Sequence, residues 1–231
     1  VLQGIGGRDV LLGYIPGGTT NDVARSLGIP RDVKGALKVI LKGHEARLDV
    51  MRLNGTRYAM YTAAAGAFTR ATYTTKSSAK KKFGIFAYAF EVLRHELKFR
   101  VFPLKIKNGD SCEETHSVLI LVMNGRSVAG MTINGSASMA DGVMETAIIR
   151  QKEHPNFFQR MGAYVSLIAL FLFHGKVRKK HITILRGNKL SIRTHPDVVW
   201  DLDGEEGMRG NLEIELLPHR MRLFVPEKKK I

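Results

Sequence analysis

The 231 residues suffice for one large domain or two small ones with a proper core. A hydrophobic share of 44% and a charged share of 25% are those of a water-facing globular chain, which excludes low-complexity and fibrous classes. The single cysteine, Cys112, excludes an intrachain disulfide and fits a reducing, cytoplasmic setting. No Cys/His spacing suits zinc. The start, Val1-Leu2-Gln3-Gly4, has neither a signal peptide's basic head and apolar centre nor an initiator methionine.

The formal net charge is +15, which favours polyanionic partners. Three basic clusters stand out: Lys76 with Lys80-Lys81-Lys82, then Lys176 with Arg178-Lys179-Lys180 and His181, then Lys228-Lys229-Lys230. The clusters lack the interleaved aromatics of a single-strand binder, and no helix-turn-helix or finger spacing appears. An anionic membrane surface is therefore the expected partner, with no specific nucleic acid. A solvated basic face is the plain alternative.

In chain order, residues 10–15 read as a buried strand and 20–27 as a helix. Pro30 leads into a helix over about 31–42, with Val33, Ala36, Leu37, Ile40 and Leu41 on one face. Two apolar-rich runs, 46–53 and 56–63, flank Asn54-Gly55 and predict a hairpin. Residues 63–67 read as a tight turn into a short helix. An exposed loop over 76–84 precedes a helix over 85–97. Strands follow at 99–106, 117–123 and 143–150, the last after a loop at 134–141. Residues 157–173 are predicted helical. Their apolar run, Ala163 to Phe173, is too short for a bilayer, which takes roughly 20 residues. It reads as a buried helix or as one wall of a lipid cleft. Five strands close the chain, at 181–185, 189–193, 198–202, 211–217 and 221–225. A short α/β piece thus precedes a long segment dominated by strands, with a boundary near His44.

The most informative stretch is Pro16-Gly17-Gly18-Thr19-Thr20-Asn21-Asp22. A strand that breaks at two glycines and restarts as a helix leaves backbone N–H groups free for an anion. Gly17 and Gly18 let a ligand approach the backbone, and Thr19 or Thr20 can cap the helix. Asp22 puts a carboxylate beside the expected phosphate, an arrangement that calls for a bridging cation. An ordinary capped turn is the alternative. Asp49 lies in an apolar strand, as a metal-site candidate or a strand-edge residue facing water. Asp201-Leu202-Asp203-Gly204-Glu205-Glu206-Gly207 could hold a metal or be an acidic loop; it lacks the twelve-residue EF-hand pattern. Asp141-Gly142 reads as a turn into a strand or as part of a metal site.

Pro16, Gly18, Thr19, Asn21, Asp22, Ala24 and Arg25, followed by Leu27-Gly28-Ile29, resemble the second nucleotide-binding motif of the diacylglycerol kinase catalytic family, which includes bacterial lipid kinases and sphingosine kinases. Asp203-Gly204-Glu205 resembles that family's Asp-Gly-Glu motif. The resemblance extends over essentially the whole chain. It implies an α/β nucleotide-binding domain, here 1–44 plus about 219–231, joined to a β-sandwich lipid-binding domain over 45–218. The closing strand returns to the first domain.

The implied activity is ATP-dependent phosphorylation of a lipid hydroxyl. Asp203 would be the general base. Gly17, Gly18, Thr19 and Asn21 would hold ATP, and Asp22, Asp49 and Glu205 the Mg2+ network. Asp141, with the carbonyls of Ser138 and Val143, would hold a structural magnesium. Asn124-Gly125 matches a family Asn of structural role.

Two departures stand out. The family's Gly-Gly-Asp-Gly-Thr motif is absent, which implies a chain starting just after it, with apolar surface left open and activity in doubt. Asn134-Gly135-Ser136-Ala137 replaces an expected proline-containing loop. The rival readings are a non-catalytic lipid- or membrane-binding module and an NAD kinase-like enzyme. Sheet edges offer a route to a homodimer.

Overall fold

The structure, a computed structural model, describes residues 1–5, 8–67, 100–172 and 182–227. The three basic clusters, the loop at 76–84 and the helix expected over 85–97 lie outside the described residues.

The described chain is strand-rich. A short helix, α1 (Leu2–Ile5), precedes β1 (Leu11–Leu12), α2 (Asp22–Leu27) and α3 (Val33–Lys42). Then come β2 (His44–Leu53), β3 (Arg57–Ala59), β4 (Thr62–Gly66), β5 (Phe102–Asn108) and β6 (Ser111–Met123). A small hairpin, β7 (Ser127–Val128) and β8 (Met131–Thr132), leads to β9 (Met144–Gln151) and α4 (Phe157–Leu172). The chain closes with β10 (Ile182–Gly187), β11 (Lys189–Thr194), β12 (Val199–Leu202), β13 (Glu205–Arg209) and β14 (Leu212–Val225).

One continuous path of hydrogen-bonded strands runs β13-β12-β4-β6-β5-β11-β14-β2-β3, with β9 and β10 added on β6 and β1 on β14. All pairings are antiparallel except β1 with β14, where Leu11 and Leu12 lie parallel to Arg222 and Leu223. That exception marks the α/β part of the molecule.

Two long strands tie the parts together. The first half of β14 pairs with β11, and its last residues with β1. Along its other edge it pairs with β2 throughout, with an irregularity between Leu217 and Met221. Leu53, Met51 and Ile214 belong to the main sandwich core around the fully buried Trp200. Beyond the irregularity, Leu48, Ala46, Leu223 and Val225 join a second core with Val23, Ala24, Leu27 and Ala36. A third core packs α4 through Ala163, Leu167 and Leu170 against β6 and β9.

Several expectations need correction. The run 56–63 is two strands, β3 and β4, broken at Met60–Tyr61. Residues 62–66 are strand rather than the start of a helix, because Ala63, Ala64 and Ala65 fit between β12 on one side and β6 on the other. The predicted strand at 10–15 shrinks to Leu11–Leu12. Helix α2 starts at Asp22, and its cap is Asn21 rather than Thr19 or Thr20. Residues 205–209 form a strand, whereas an acidic loop or metal loop was expected there. The strands read at 211–217 and 221–225 are one bulged strand.

Helix α3 buries Ala36 and Val39, while Val33, Leu37 and Leu41 are exposed. Val10 and Ile15 are exposed as well. No helix among the described residues is long and apolar enough to cross a membrane.

Candidate active site

The antiparallel register of β12 on β4 sets Asp201 opposite Ala64 and Leu202 opposite Ala63. The next residue, Asp203, therefore arrives beside the break before β4. Its own N–H donates to the Thr62 carbonyl (3.1 Å). Its carboxylate accepts three backbone N–H groups, from Met60 (2.6 Å), Tyr61 (3.0 Å) and Thr62 (3.0 Å). Asp203 has φ +55° and Gly204 φ +91°, so a tight left-handed turn presents the carboxylate. Asp201, also buried, fastens this turn by accepting the Gly204 N–H (2.8 Å). Burial raises the Asp203 carboxyl above the ordinary carboxylate range, and the Asp201 charge adds to the rise. The three N–H bonds oppose it without cancelling it.

Across from this turn stands α2. Asn21 has a left-handed backbone, φ 51°, and its Oδ1 accepts the Gly18 N–H (2.9 Å). That bond ties the exposed Gly17–Thr19 loop to the helix start. Asp22 is buried. Its Oδ1 accepts from the Ser127 hydroxyl (2.6 Å) and the Gly130 N–H (2.9 Å), so the β7–β8 hairpin holds it. Its Oδ2 is buried with no hydrogen-bond partner in the protein. An ionised oxygen stripped of water and unpaired is costly, and a cation or its water shell is the natural partner.

The phenols of Tyr14 and Tyr61 link the two sides. Both are raised above the ordinary phenol value, by burial first and then by the charges of Asp22 and Asp203. Asp22, Asp201, Asp203 and the two tyrosines thus share one neighbourhood.

The other predicted metal residues are engaged differently. Asp49 is fully buried rather than at a strand edge in water. Its two oxygens accept backbone N–H groups from His219 (2.8 Å) and Gly142 (2.7 Å), and its own N–H donates to the Met139 carbonyl (2.7 Å). Asp141 is exposed, and its carboxylate accepts the Val143 N–H (3.1 Å), closing a local turn. Glu205 is exposed at the start of β13. Among the described residues no group of three or more His, Cys, Asp or Glu is placed to hold a metal. Asn124, fully buried, donates to the carbonyls of Asp49 (3.0 Å) and Met60 (2.9 Å), clamping β2 to the break before β4.

Sequence reasoning missed Tyr14, Tyr61, Ser127 and Gly130. An alternation of tyrosine with small residues carries no signal of its own. The cue for Ser127 was Asn124-Gly125, a turn that brings the following residues back toward α2.

Residues 1–53 match the diacylglycerol kinase catalytic domain, and residues 61–225 match the YegS C-terminal NAD kinase beta sandwich-like domain. The chain belongs to the diacylglycerol kinase family. It is 30% identical over 218 residues to a diacylglycerol kinase of Staphylococcus saprophyticus subsp. saprophyticus, covering 93% of this chain and 68% of that protein. It is 28% identical over 219 residues to the diacylglycerol kinase of Staphylococcus epidermidis, covering 94% of this chain and 66% of that one. A crystal structure of a diacylglycerol kinase from Bacillus anthracis str. Sterne superposes with a TM-score of 0.67 at 26% identity, over 91% of this chain and 67% of that chain. The chain thus spans about two thirds of the length of these relatives. The fold is that of lipid kinases, a short α/β portion joined to a β-sandwich.

Proposed function

We propose that this chain carries the acceptor side and part of the nucleotide side of an ATP-dependent lipid kinase acting on diacylglycerol or a related lipid alcohol. The observation that carries the reading is the Asp203 carboxylate, held by three backbone N–H groups and raised by burial, in one neighbourhood with the half-unpaired Asp22.

In this reading Asp203 is the general base. A carboxylate needs to sit within hydrogen-bond reach of the acceptor hydroxyl and to be basic enough to take its proton. The alcohol oxygen then forms a bond to the γ-phosphorus of ATP, and the bond from that phosphorus to the β–γ bridging oxygen breaks. ADP leaves, and the proton stays on Asp203. Positioning and charge compensation supply most of the rate in such transfers. Gly17, Gly18 and Thr19 are exposed, and they and Asn21 are assigned to the phosphates.

Magnesium fits Asp22. An oxygen ligand from one carboxylate, completed by waters and phosphates, suits this ion. When bound, Mg2+ offsets charge on the transferring phosphoryl group. Glu205 completes that network in the family pattern. Asp49 is assigned instead to holding β2, β14 and the turn at Gly142 in register, since both its oxygens are taken by backbone donors. A structural magnesium at Asp141 stays a separate proposal, tested by whether Mg2+ raises the melting temperature of wild type and not of Asp141→Ala. Along β2 the core changes between Val50 and Met51, past the division assigned at His44, so the first residues of β2 pack with the α/β portion. The net charge of +15 supports work at an anionic membrane surface.

The test is a panel of acceptors incubated with labelled Mg-ATP: diacylglycerol, a sphingoid base, glycerol and NAD. The protein is used as this chain and also joined to a Gly-Gly-Asp-Gly-Thr segment. Label in diacylglycerol or the sphingoid base supports the reading. Label in NAD points to the NAD kinase-like alternative. Lipid binding with no transfer in either form points to a non-catalytic module.

A further inference from the structure

The Tyr61 hydroxyl stands beside Asp203 and takes no part in the proton and phosphoryl transfer proposed above. Tyr61 sits in the two-residue break between β3 and β4. Its backbone is fixed at both ends: the N–H donates to Asp203 Oδ1 (3.0 Å), and the carbonyl accepts the Asn124 N–H (2.9 Å). The ring packs against the second core. The position that a Cβ on Gly204 would take lies 3.8 Å from the Tyr61 hydroxyl, so the phenol hangs over the Asp203-Gly204 turn. Gly204 leaves that approach open.

Tyr61 is half-buried, and its hydroxyl makes no hydrogen bond to another described residue, so the O–H is available to a ligand. Its surroundings are acidic. Asp22, Asp203 and Asp201 all act on it, and burial with these charges keeps the phenol protonated. It is therefore a fixed neutral O–H donor over the base. A lysine or arginine there would pair with the carboxylates and cover them. A phenol that stays neutral can donate to an uncharged oxygen and leave Asp203 free.

We propose that Tyr61 is an acceptor-binding residue, whose hydroxyl donates a hydrogen bond to an oxygen of the lipid on the carbon next to the reacting hydroxyl. The inference rests on the lipid-kinase reading. Asp203 requires the reacting hydroxyl within hydrogen-bond reach, which brings the neighbouring carbon of the same molecule under the phenol. In a diacylglycerol that carbon bears an ester oxygen. A simple long-chain alcohol has no oxygen there. Tyr61 thereby selects glycerolipid-type acceptors over plain alcohols, because an unpaired donor penalises the analogue that lacks the acceptor.

The experiment compares wild type with Tyr61→Phe on dioctanoylglycerol and on 1-dodecanol. Both proteins carry the Gly-Gly-Asp-Gly-Thr segment. Equilibrium binding of dioctanoylglycerol is measured as well. Tyr61→Phe should keep the melting temperature and the KM for ATP, because the hydroxyl supports nothing in the fold. It should raise the KM and Kd for dioctanoylglycerol about tenfold, the loss of one hydrogen bond. It should raise kcat/KM for dodecanol, because the unpaired donor that penalised this alcohol is gone. An unchanged Kd for dioctanoylglycerol, or equal losses on both acceptors, overturns the assignment. Failure of wild type to transfer phosphate while still binding dioctanoylglycerol in a Tyr61-dependent way would sink the kinase reading and keep Tyr61 as a lipid contact. No binding by wild type overturns both.

Discussion

Asp203 and Met60 lie 143 residues apart in sequence, yet the Met60 N–H donates to Asp203 Oδ2 at 2.6 Å. With the Tyr61 and Thr62 donors this makes a backbone cradle around one carboxylate, built by the pairing of β12 with β4. The cradle fixes the direction of the carboxylate, and burial keeps it basic.

The first prediction concerns the acid side of the pH profile. A protonated Asp203 cannot accept the alcohol's proton, so kcat/KM should rise with pH through the Asp203 pKa. That pKa is raised, so the inflection should lie above the ordinary aspartate value of about 3.9. The same shift has a stability consequence of fixed sign. The contribution of Asp203 to stability is fully present below its unfolded pKa and is lost as pH rises through its folded pKa. Urea unfolding followed across pH 3 to 8, with Asp203→Asn as reference, measures it. An inflection in kcat/KM at or below the ordinary value would contradict the assignment.

A second prediction concerns Gly204. At φ +91° a side chain is strained, costing roughly 1–2 kcal/mol, and its Cβ would meet the Tyr61 hydroxyl in ordinary contact. Gly204→Ala should lower the melting temperature by several degrees and lower turnover through the displaced Asp203. Thermal unfolding together with single-turnover kinetics tests both effects.

Asp49→Ala should be destabilising without altering the metal requirement. It removes, from a fully buried site, the acceptor of two part-buried N–H groups, Gly142 and His219, and leaves each without that partner. The expected loss is about 3 kcal/mol, read as a fall in the urea midpoint. The concentration of Mg2+ that half-saturates nucleotide binding should stay put. A large rise in that concentration at unchanged stability would return Asp49 to the metal.

Asp22→Asn should do the reverse. The amide can still accept from Ser127 or Gly130, but the charged, unpartnered oxygen is gone. Magnesium dependence of nucleotide binding should weaken at least tenfold, with a much smaller change in melting temperature. Calorimetric titration of ADP at stepped Mg2+ concentrations decides it.

The sequence and the structure agree where the chemistry is local. Asn54-Gly55 announces its hairpin, because the left-handed turn needs those residue types. Asp203-Gly204 announces its turn for the same reason. The cradle around Asp203 was not legible. Its donors are backbone groups with no side-chain signature, brought together across a separation of more than 140 residues. Asp49 looked like a metal ligand or a wet edge. An aspartate in an apolar strand does not disclose that a bulge in β14 and a turn at Gly142 both aim N–H groups at it. The pattern of α3 gives which residues share a face, not whether anything covers them, so the exposure of Val33, Leu37 and Leu41 was not legible.

The central claim is that Asp203 activates a lipid hydroxyl toward ATP. The most direct measurement is transfer of labelled phosphate from Mg-ATP to diacylglycerol in mixed micelles, wild type against Asp203→Asn. Both proteins carry the Gly-Gly-Asp-Gly-Thr segment, and nucleotide binding is followed in parallel. The account predicts phosphatidic acid from wild type, a loss of about 10²–10⁴-fold in Asp203→Asn, and equal nucleotide affinity in the two. Turnover undiminished in Asp203→Asn, or no lipid phosphorylation by a wild type that binds Mg-ATP, would contradict it.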